Sequence, residues 1–322
     1  MARLDGQCGL TVWWCRAAAA GALFLLSSAV GVKAANAAPV LFLNANMEGE
    51  VVAPSGKETY DELLVRWPSG EAGAIPIQYQ GGTLMDRFAQ VIADPKRGGN
   101  NVLQFWLKEA RVPGQTEGRH KGRIQMNLAD LNAALTYQRF RMYLHPDLAL
   151  YRAYPKSNTW FTINELWAGV PWKGDEYPFR ITLDIVKDRG VGSPLRFAAT
   201  GSVNTGGEVG SGIWESVWRS VNKDFEVPIG EWLDVELGYK QGGAQTGRFY
   251  LAVKRNSDVA KTVVLNVTNW TYHPRAPQPV PLTHWQPLKL YTSSDIIDYV
   301  RENGGVAQIY WDDLEIWQAG PR

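Results

Sequence analysis

Past its fifteenth residue this 322-residue sequence has no cysteine. Cys8 and Cys15 stand near the start, so the rest of the chain can form neither a disulfide nor a cysteine metal site. Histidine is scarce too. His120, His145, His273 and His284 are the whole supply, and the absence of His-x-His or His-Glu-x-x-His spacing argues against a catalytic zinc. Charge of either sign is not in excess: 33 Lys and Arg against 32 Asp and Glu give a net +1. Arg3, Arg16 and Lys33 against Asp5 supply +2 of that within the first 37 residues, which leaves the remainder near −1. A chain so balanced presents no strongly basic face, which excludes nucleic acid as a partner. A charged ligand would have to be met by a local cluster rather than by the overall field.

Long apolar runs are missing everywhere but the start, where Ala17 to Val32 carries no charge. A basic beginning, this run, and the small-x-small stretch Ala35-Asn36-Ala37 make residues 1–37 a signal peptide, with Ala38 as the first mature residue and Val32-Lys33-Ala34 as a second candidate cut. The rival reading is an uncleaved anchor, but the run falls short of the roughly 20 residues a membrane span needs. Both cysteines leave with the signal. The expected product is bacterial, secreted or periplasmic, monomeric, and free of the membrane after cleavage. Residues 38–322 must then hold by their core alone, which one large domain can do.

What is abundant is period-two alternation. Leu103, Phe105 and Leu107 alternate with Gln104, Trp106 and Lys108; Ile124, Met126 and Leu128 with Arg123, Gln125 and Asn127; Phe140, Met142 and Leu144 with Arg139, Arg141 and Tyr143. Phe179 to Ile185 and Phe249 to Val253 repeat the pattern. Each reads as a strand with one buried and one wetter face. Gly98-Gly99, Pro113-Gly114, Gly206-Gly207, Gly242-Gly243 and Asn303-Gly304 punctuate them. One helix is expected late, capped by Ser294 and running through Arg301, and Pro274 to Pro287 should be an extended loop. Many strands, few helices and no internal repeat predict an all-β sandwich of two antiparallel sheets. Fourteen tryptophans, twelve of them beyond the signal, must partly fill its core.

Several segments, in order, resemble the concanavalin-A-like jelly-roll polysaccharide lyases, the group that holds alginate, glucuronan and heparin lyases. Leu41 to Gly49 is similar to their opening strand, and Val91 to Pro95 with Gly98 to Phe105 to their second strand pair. Gly122-Arg123-Ile124-Gln125 sits where they carry Arg-x-Glu, and Thr159 to Trp167 where they carry Gln-x-His. Leu288 to Tyr291 resembles their late strand, and Gln308 to Ile316 their closing one. The chain departs from that pattern in having Gln125 for the glutamate and Glu165-Leu166-Trp167 in place of Gln-x-His. The resemblance implies an open groove for a polysaccharide and, as activity, β-elimination of a uronate-containing glycan. It requires no cofactor, and implies at most a structural calcium held by Glu48 and Asp313.

Elimination needs the substrate carboxylate neutralised, a base for the C5 proton and an acid for the leaving oxygen. Arg, Gln and Asn suit the first task and Tyr or His the others. Alternation puts Arg123, Gln125 and Asn127 on one face, and Lys289 and Tyr291 on another. Arg141 with Tyr143, and Arg248 with Tyr250, repeat an Arg-x-Tyr pairing. If these strands are neighbours, they line one concave surface suited to an anionic glycan; if not, each is an ordinary solvated sheet face. The catalytic candidates are Tyr291, Arg123, Gln125, Glu165 and Lys289. The substrate-binding candidates are Asn127, Arg141, Tyr143, Asn164, Trp167, Arg248, Tyr250 and His120, a loop residue near Arg123; His284 is another loop candidate. Tyr291 could equally be a rim residue, and Glu165 a buried one in need of a partner. The rival functions are a glycoside hydrolase of the same fold and a non-catalytic carbohydrate-binding protein.

Overall fold

The computed structural model describes residues 38–53, 59–111, 121–205 and 213–319. The signal-peptide expectation, with the two punctuation pairs Pro113-Gly114 and Gly206-Gly207, lies outside the described residues. The strands are β1 (Val40–Ala45), β2 (Val51–Val52), β3 (Tyr60–Arg66), β4 (Ala72–Gln80), β5 (Arg87–Ala93), β6 (Asn101–Leu107), β7 (Lys121–Met126), β8 (Leu135–Leu144) and β9 (Thr162–Ala168). They continue with β10 (Phe179–Val186), β11 (Arg196–Asn204), β12 (Trp214–Val221), β13 (Trp232–Lys240), β14 (Arg248–Arg255), β15 (Thr262–Thr268), β16 (His284–Gln286), β17 (Lys289–Ser293) and β18 (Ala307–Ala319). Two α-helices accompany them, α1 (Ala149–Ala153) and α2 (Ser294–Glu302).

The strands form two antiparallel sheets of a jelly-roll β-sandwich. The first has eight strands in the order β15-β14-β13-β8-β18-β6-β5, with β1 added on β18. The second has ten, β12-β11-β10-β9-β17-β7-β4-β3-β2, with β16 added on β9. Opening and closing strands pair with each other, and β5 pairs with β6 as a hairpin. Alternation explains the packing. Phe105, Phe140, Met142, Leu237 and Phe249 of the first sheet are at most 2% exposed, as are Ile77, Ile124, Met126, Phe179 and Leu290 of the second, and all belong to one apolar core. Burying each such side chain contributes about 1.5–3 kcal/mol before entropy is counted.

The late helix begins one residue from its expected place: Ser293 is the N-cap and Ser294 the first helical residue. Its Ile297 presses on β7 at Gly122, where a Cβ would come within 2.5 Å of the Ile297 methyl and 2.6 Å of Leu107. The proline-rich stretch is loop except at its end, where β16 pairs with β9. Pro287, lacking an N–H, separates β16 from β17. Its freed carbonyl accepts from Gln138 (3.0 Å) and Asn164 (2.8 Å). No helix among the described residues is long and apolar enough to cross a membrane.

Candidate functional site

The outer face of the second sheet collects the chemistry. β17 runs antiparallel to β7 with Tyr291 opposite Arg123 and Lys289 opposite Gln125. β4 flanks β7 on its other side and sets Gln80 beside Arg123 and Gln78 beside Gln125. Ile124 and Leu290 point the other way and are fully buried, which fixes the polar residues outward. Gln125 Nε2 donates to Gln78 Oε1 at 3.1 Å. Asn127 accepts from Gln286 at 2.7 Å, and Gln286 accepts from the Trp167 indole at 3.0 Å.

Glu165 joins this face. It is ion-paired to Lys289 and reached by Arg180 Nη1 at 3.4 Å, and only 3% of it is exposed. Strict alternation along β9 would put Thr162 with Asn164, and Ile163 with Glu165. A bulge breaks that rule: Asn164 pairs with Leu183 and Thr162 with Asp184, so Ile163 is the extra residue. Ile163 and Asn164 therefore both turn inward, while Thr162, Glu165 and Trp167 turn outward. Asn164, expected to bind substrate, instead bridges the two sheets. It donates to Gln138 and to the Pro287 carbonyl, accepts from Trp285, and has no exposed surface.

Cationic charge dominates here. Burial alone would raise the Glu165 carboxyl, but Lys289, Arg180 and Arg123 outweigh it and hold Glu165 below the usual carboxylate range. The same crowding works against Lys289, which burial, with Arg123 and Arg180 beside it, pushes down to about 8 despite Glu165. Arg123 is lowered by burial as well. Unlike Lys289 and Arg180, Arg123 forms no ion pair among the described residues, and its Nε is buried without a partner, as is Gln125 Oε1. A half-buried guanidinium with a buried, unpartnered Nε is costly, and an anion from solvent would relieve it. The Tyr291 ring lies 4.9 Å from Lys289 Nζ and 5.7 Å from Lys121 Nζ, with Trp160 against it at 5.0 Å.

The other Arg-x-Tyr pairs do not belong to this site. β8 and β14 lie in the first sheet, so Arg141, Tyr143, Arg248 and Tyr250 face the opposite side of the sandwich. Arg141 is already neutralised there by Asp234 (3.5 Å) and Asp312 (3.4 Å). Tyr143 is 2% exposed in a small satellite cluster with Val102, Trp232 and Tyr310. His120 lies outside the described residues. His284 sits opposite Trp167, whereas Tyr291 sits opposite Thr162 five residues away, so His284 does not serve the Tyr291 centre. Glu48 turns both carboxylate oxygens to Asn101, at 3.0 and 2.7 Å. No group of three His, Cys, Asp or Glu gathers among the described residues.

Four residues of this face were not among the sequence candidates: Arg180 and Asp184 on β10, Trp172 in the following loop of β9, and Trp214 on β12. The Arg180-x-Thr182-x-Asp184 spacing carried the signal for the first two. Asp184 is 2% exposed and accepts from the Thr162 and Thr182 hydroxyls at 2.7 and 2.8 Å. Burial raises it above its ordinary 3.8. A carboxyl whose folded pKa is raised adds stability below the unfolded value and loses it as pH climbs through the folded one. Melting temperature followed upward from about pH 3.8 should therefore fall less steeply in Asp184→Asn than in the native chain; parallel curves would refute the shift.

No known family pattern matches the chain, and no curated protein matches it. Among solved structures it is similar to an endo-β-1,4-glucuronan lyase from the fungus Trichoderma reesei, at 16% identity and TM-score 0.46, covering 72% of this chain and 87% of that one. It is also similar to the alginate lyase Aly36B (14%, TM-score 0.41, 74% and 86% covered). A third is the exolytic alginate lyase AlyA5 from Zobellia galactanivorans (9%, TM-score 0.43, 86% and 96% covered). Likenesses this distant leave activity to be argued from the side chains.

Proposed function

We propose that this protein is a polysaccharide lyase that cleaves a uronate-containing glycan by β-elimination on the outer face of the second sheet. The observation that carries this reading is Arg123, a half-buried cation opposite Tyr291 whose Nε is buried without a partner and which forms no ion pair among the described residues. Arg123, with the second N–H of Gln125 Nε2 (the first donates to Gln78), receives the sugar carboxylate, and its neutralisation makes the C5 proton acidic. Tyr291, acting as its phenolate, takes that proton and becomes the phenol. The electron pair left on C5 closes a C4=C5 double bond as the C4–O4 bond breaks onto O4, and the Tyr291 phenol passes its proton to the departing O4, which restores the phenolate. Negative charge develops among Arg123, Lys289 and Lys121, of which Lys289 is held in place by Glu165 before substrate arrives. Glu165 does not touch substrate in this scheme; it holds Lys289 in place.

Hydrolysis fits less well. It needs two carboxyls that a glycosidic oxygen and a water can reach. The two acids closest to the centre, Glu165 and Asp184, are 3% and 2% exposed and already engaged by Lys289, Arg180 and two threonines.

Incubation with uronate polymers separates the classes. Elimination generates an unsaturated sugar seen by ultraviolet absorbance; new reducing ends without absorbance indicate hydrolysis, and binding without either indicates a carbohydrate-binding protein. Arg123→Ala should lower kcat/KM about a hundredfold, mostly in kcat, because the carboxylate charge matters most as C5 loses its proton. A change confined to KM would mean that Arg123 only binds.

A further inference from the structure

Beyond the Tyr291 centre the same face carries an aromatic cluster that the elimination chemistry does not use. Trp167 meets Trp172 edge to face at 4.8 Å and Trp214 at 5.3 Å, and His284 meets Trp172 at 5.7 Å. Trp172 is 48% exposed, an unusual state for so large an apolar surface. It is not a stray loop residue. Val170 N–H donates to Asp175 at 2.6 Å, Lys173 pairs with Asp130 at 2.6 Å, and Gly174 closes the turn with φ +80°. Gly169 N–H donates to Thr283, whose hydroxyl donates to the Trp167 carbonyl. The ring is held up against Trp167, on the side where the sheet's cations lie.

Arg180 completes the arrangement. Its guanidinium lies 3.9 Å over the Trp214 ring and 5.9 Å from Trp167, and one nitrogen reaches Glu165. Its Nε is buried with no partner, yet a quarter of the side chain remains exposed. Stacking of this kind fixes the plane of a guanidinium and presents its remaining donors. Trp167 is five residues along β9 from Thr162, the residue opposite Tyr291. At about 3.3 Å per residue that is on the order of 15 Å, too far for the ring being cut.

We infer that Trp172, with Arg180 stacked on Trp214, forms a separate subsite for an acidic sugar residue of the same glycan, remote from the cleaved bond. The apolar C–H face of the ring stacks on the exposed indole, and its carboxylate meets Arg180. This rests on the uronate reading above but can fail apart from it. The test is calorimetric titration of a uronate tetrasaccharide into the Tyr291→Phe protein, with and without Trp172→Ala. The Trp172→Ala change should weaken binding about tenfold, and Trp172→Phe, which keeps a flat ring, within about threefold. The carboxyl-reduced, neutral tetrasaccharide should bind the parent at least about tenfold more weakly than the acidic one. Equal affinity in Trp172→Ala, or equal affinity for the neutral sugar, overturns the subsite. Failure of every uronate oligomer to bind the native chain removes the proposed function as well, whereas Trp172-insensitive binding removes this subsite alone.

Discussion

Replacing Tyr291 by Phe should lower turnover about 10³-fold while leaving the affinity for uronate oligomers within about threefold and the melting temperature nearly unchanged. The hydroxyl is the only group removed. Among the described residues it makes no hydrogen bond, and the ring, which Trp160 and the two lysines contact, is retained. Arg123 and Gln125 stay in place to hold the carboxylate, so KM should hardly move. Loss in kcat without loss of binding is what removal of a proton-transferring group looks like. A Tyr291→Phe protein that turns over at the native rate would show that another group takes the C5 proton, and the catalytic scheme would fall.

Lys289→Ala should cost about 3–5 kcal/mol of stability, because it leaves Glu165 charged in a site almost closed to water. The pair is 2% and 4% exposed at its side chains, and Arg180, at 3.4 Å, can only partly replace the lost cation. The same change removes the positive charge beside Tyr291 and should lower kcat by about 10² even at a temperature where the variant is folded. The double variant Glu165→Gln/Lys289→Met removes both charges of the closed pair, leaving only the quarter-exposed Arg180 without its carboxylate, and should regain most of the stability but not the activity. Denaturant unfolding of these two variants beside the native chain decides the matter. A loss below about 1 kcal/mol in Lys289→Ala would mean that water reaches the pair, since exposed pairs are worth no more than that.

The strands and the sandwich were legible in the chain because alternation is a local signal: Arg123 to Leu128 names its inward residues without knowing its neighbours. Which sheet a strand joins is not local. Arg141-x-Tyr143 on β8 looks like Arg123-x-Gln125 on β7, yet one arginine is spent on Asp312, 171 residues away, and the other forms no ion pair among the described residues. Topology alone separates them. The inward turn of Asn164 was hidden for a different reason. A single extra residue in β9 shifts every later side chain to the other face, and nothing in Phe161 to Trp167 marks it. Its cause is the pairing with Asp184, whose two threonine donors stand on two strands. Trp172 illustrates a third limit. In a sequence with so many tryptophans, burial is the better expectation for each, and only the fixed loop around it shows one held in solvent.

The account stands on Arg123 and Gln125 as the receivers of a sugar carboxylate. A crystal structure of the Tyr291→Phe protein with a uronate tetrasaccharide tests that directly. It should place a carboxylate within hydrogen-bond distance of both side chains, with C5 of the same ring facing position 291. A sugar bound across Arg248 and Tyr250 on the first sheet, or one lying on the second sheet with its carboxylates turned away from Arg123, would contradict it.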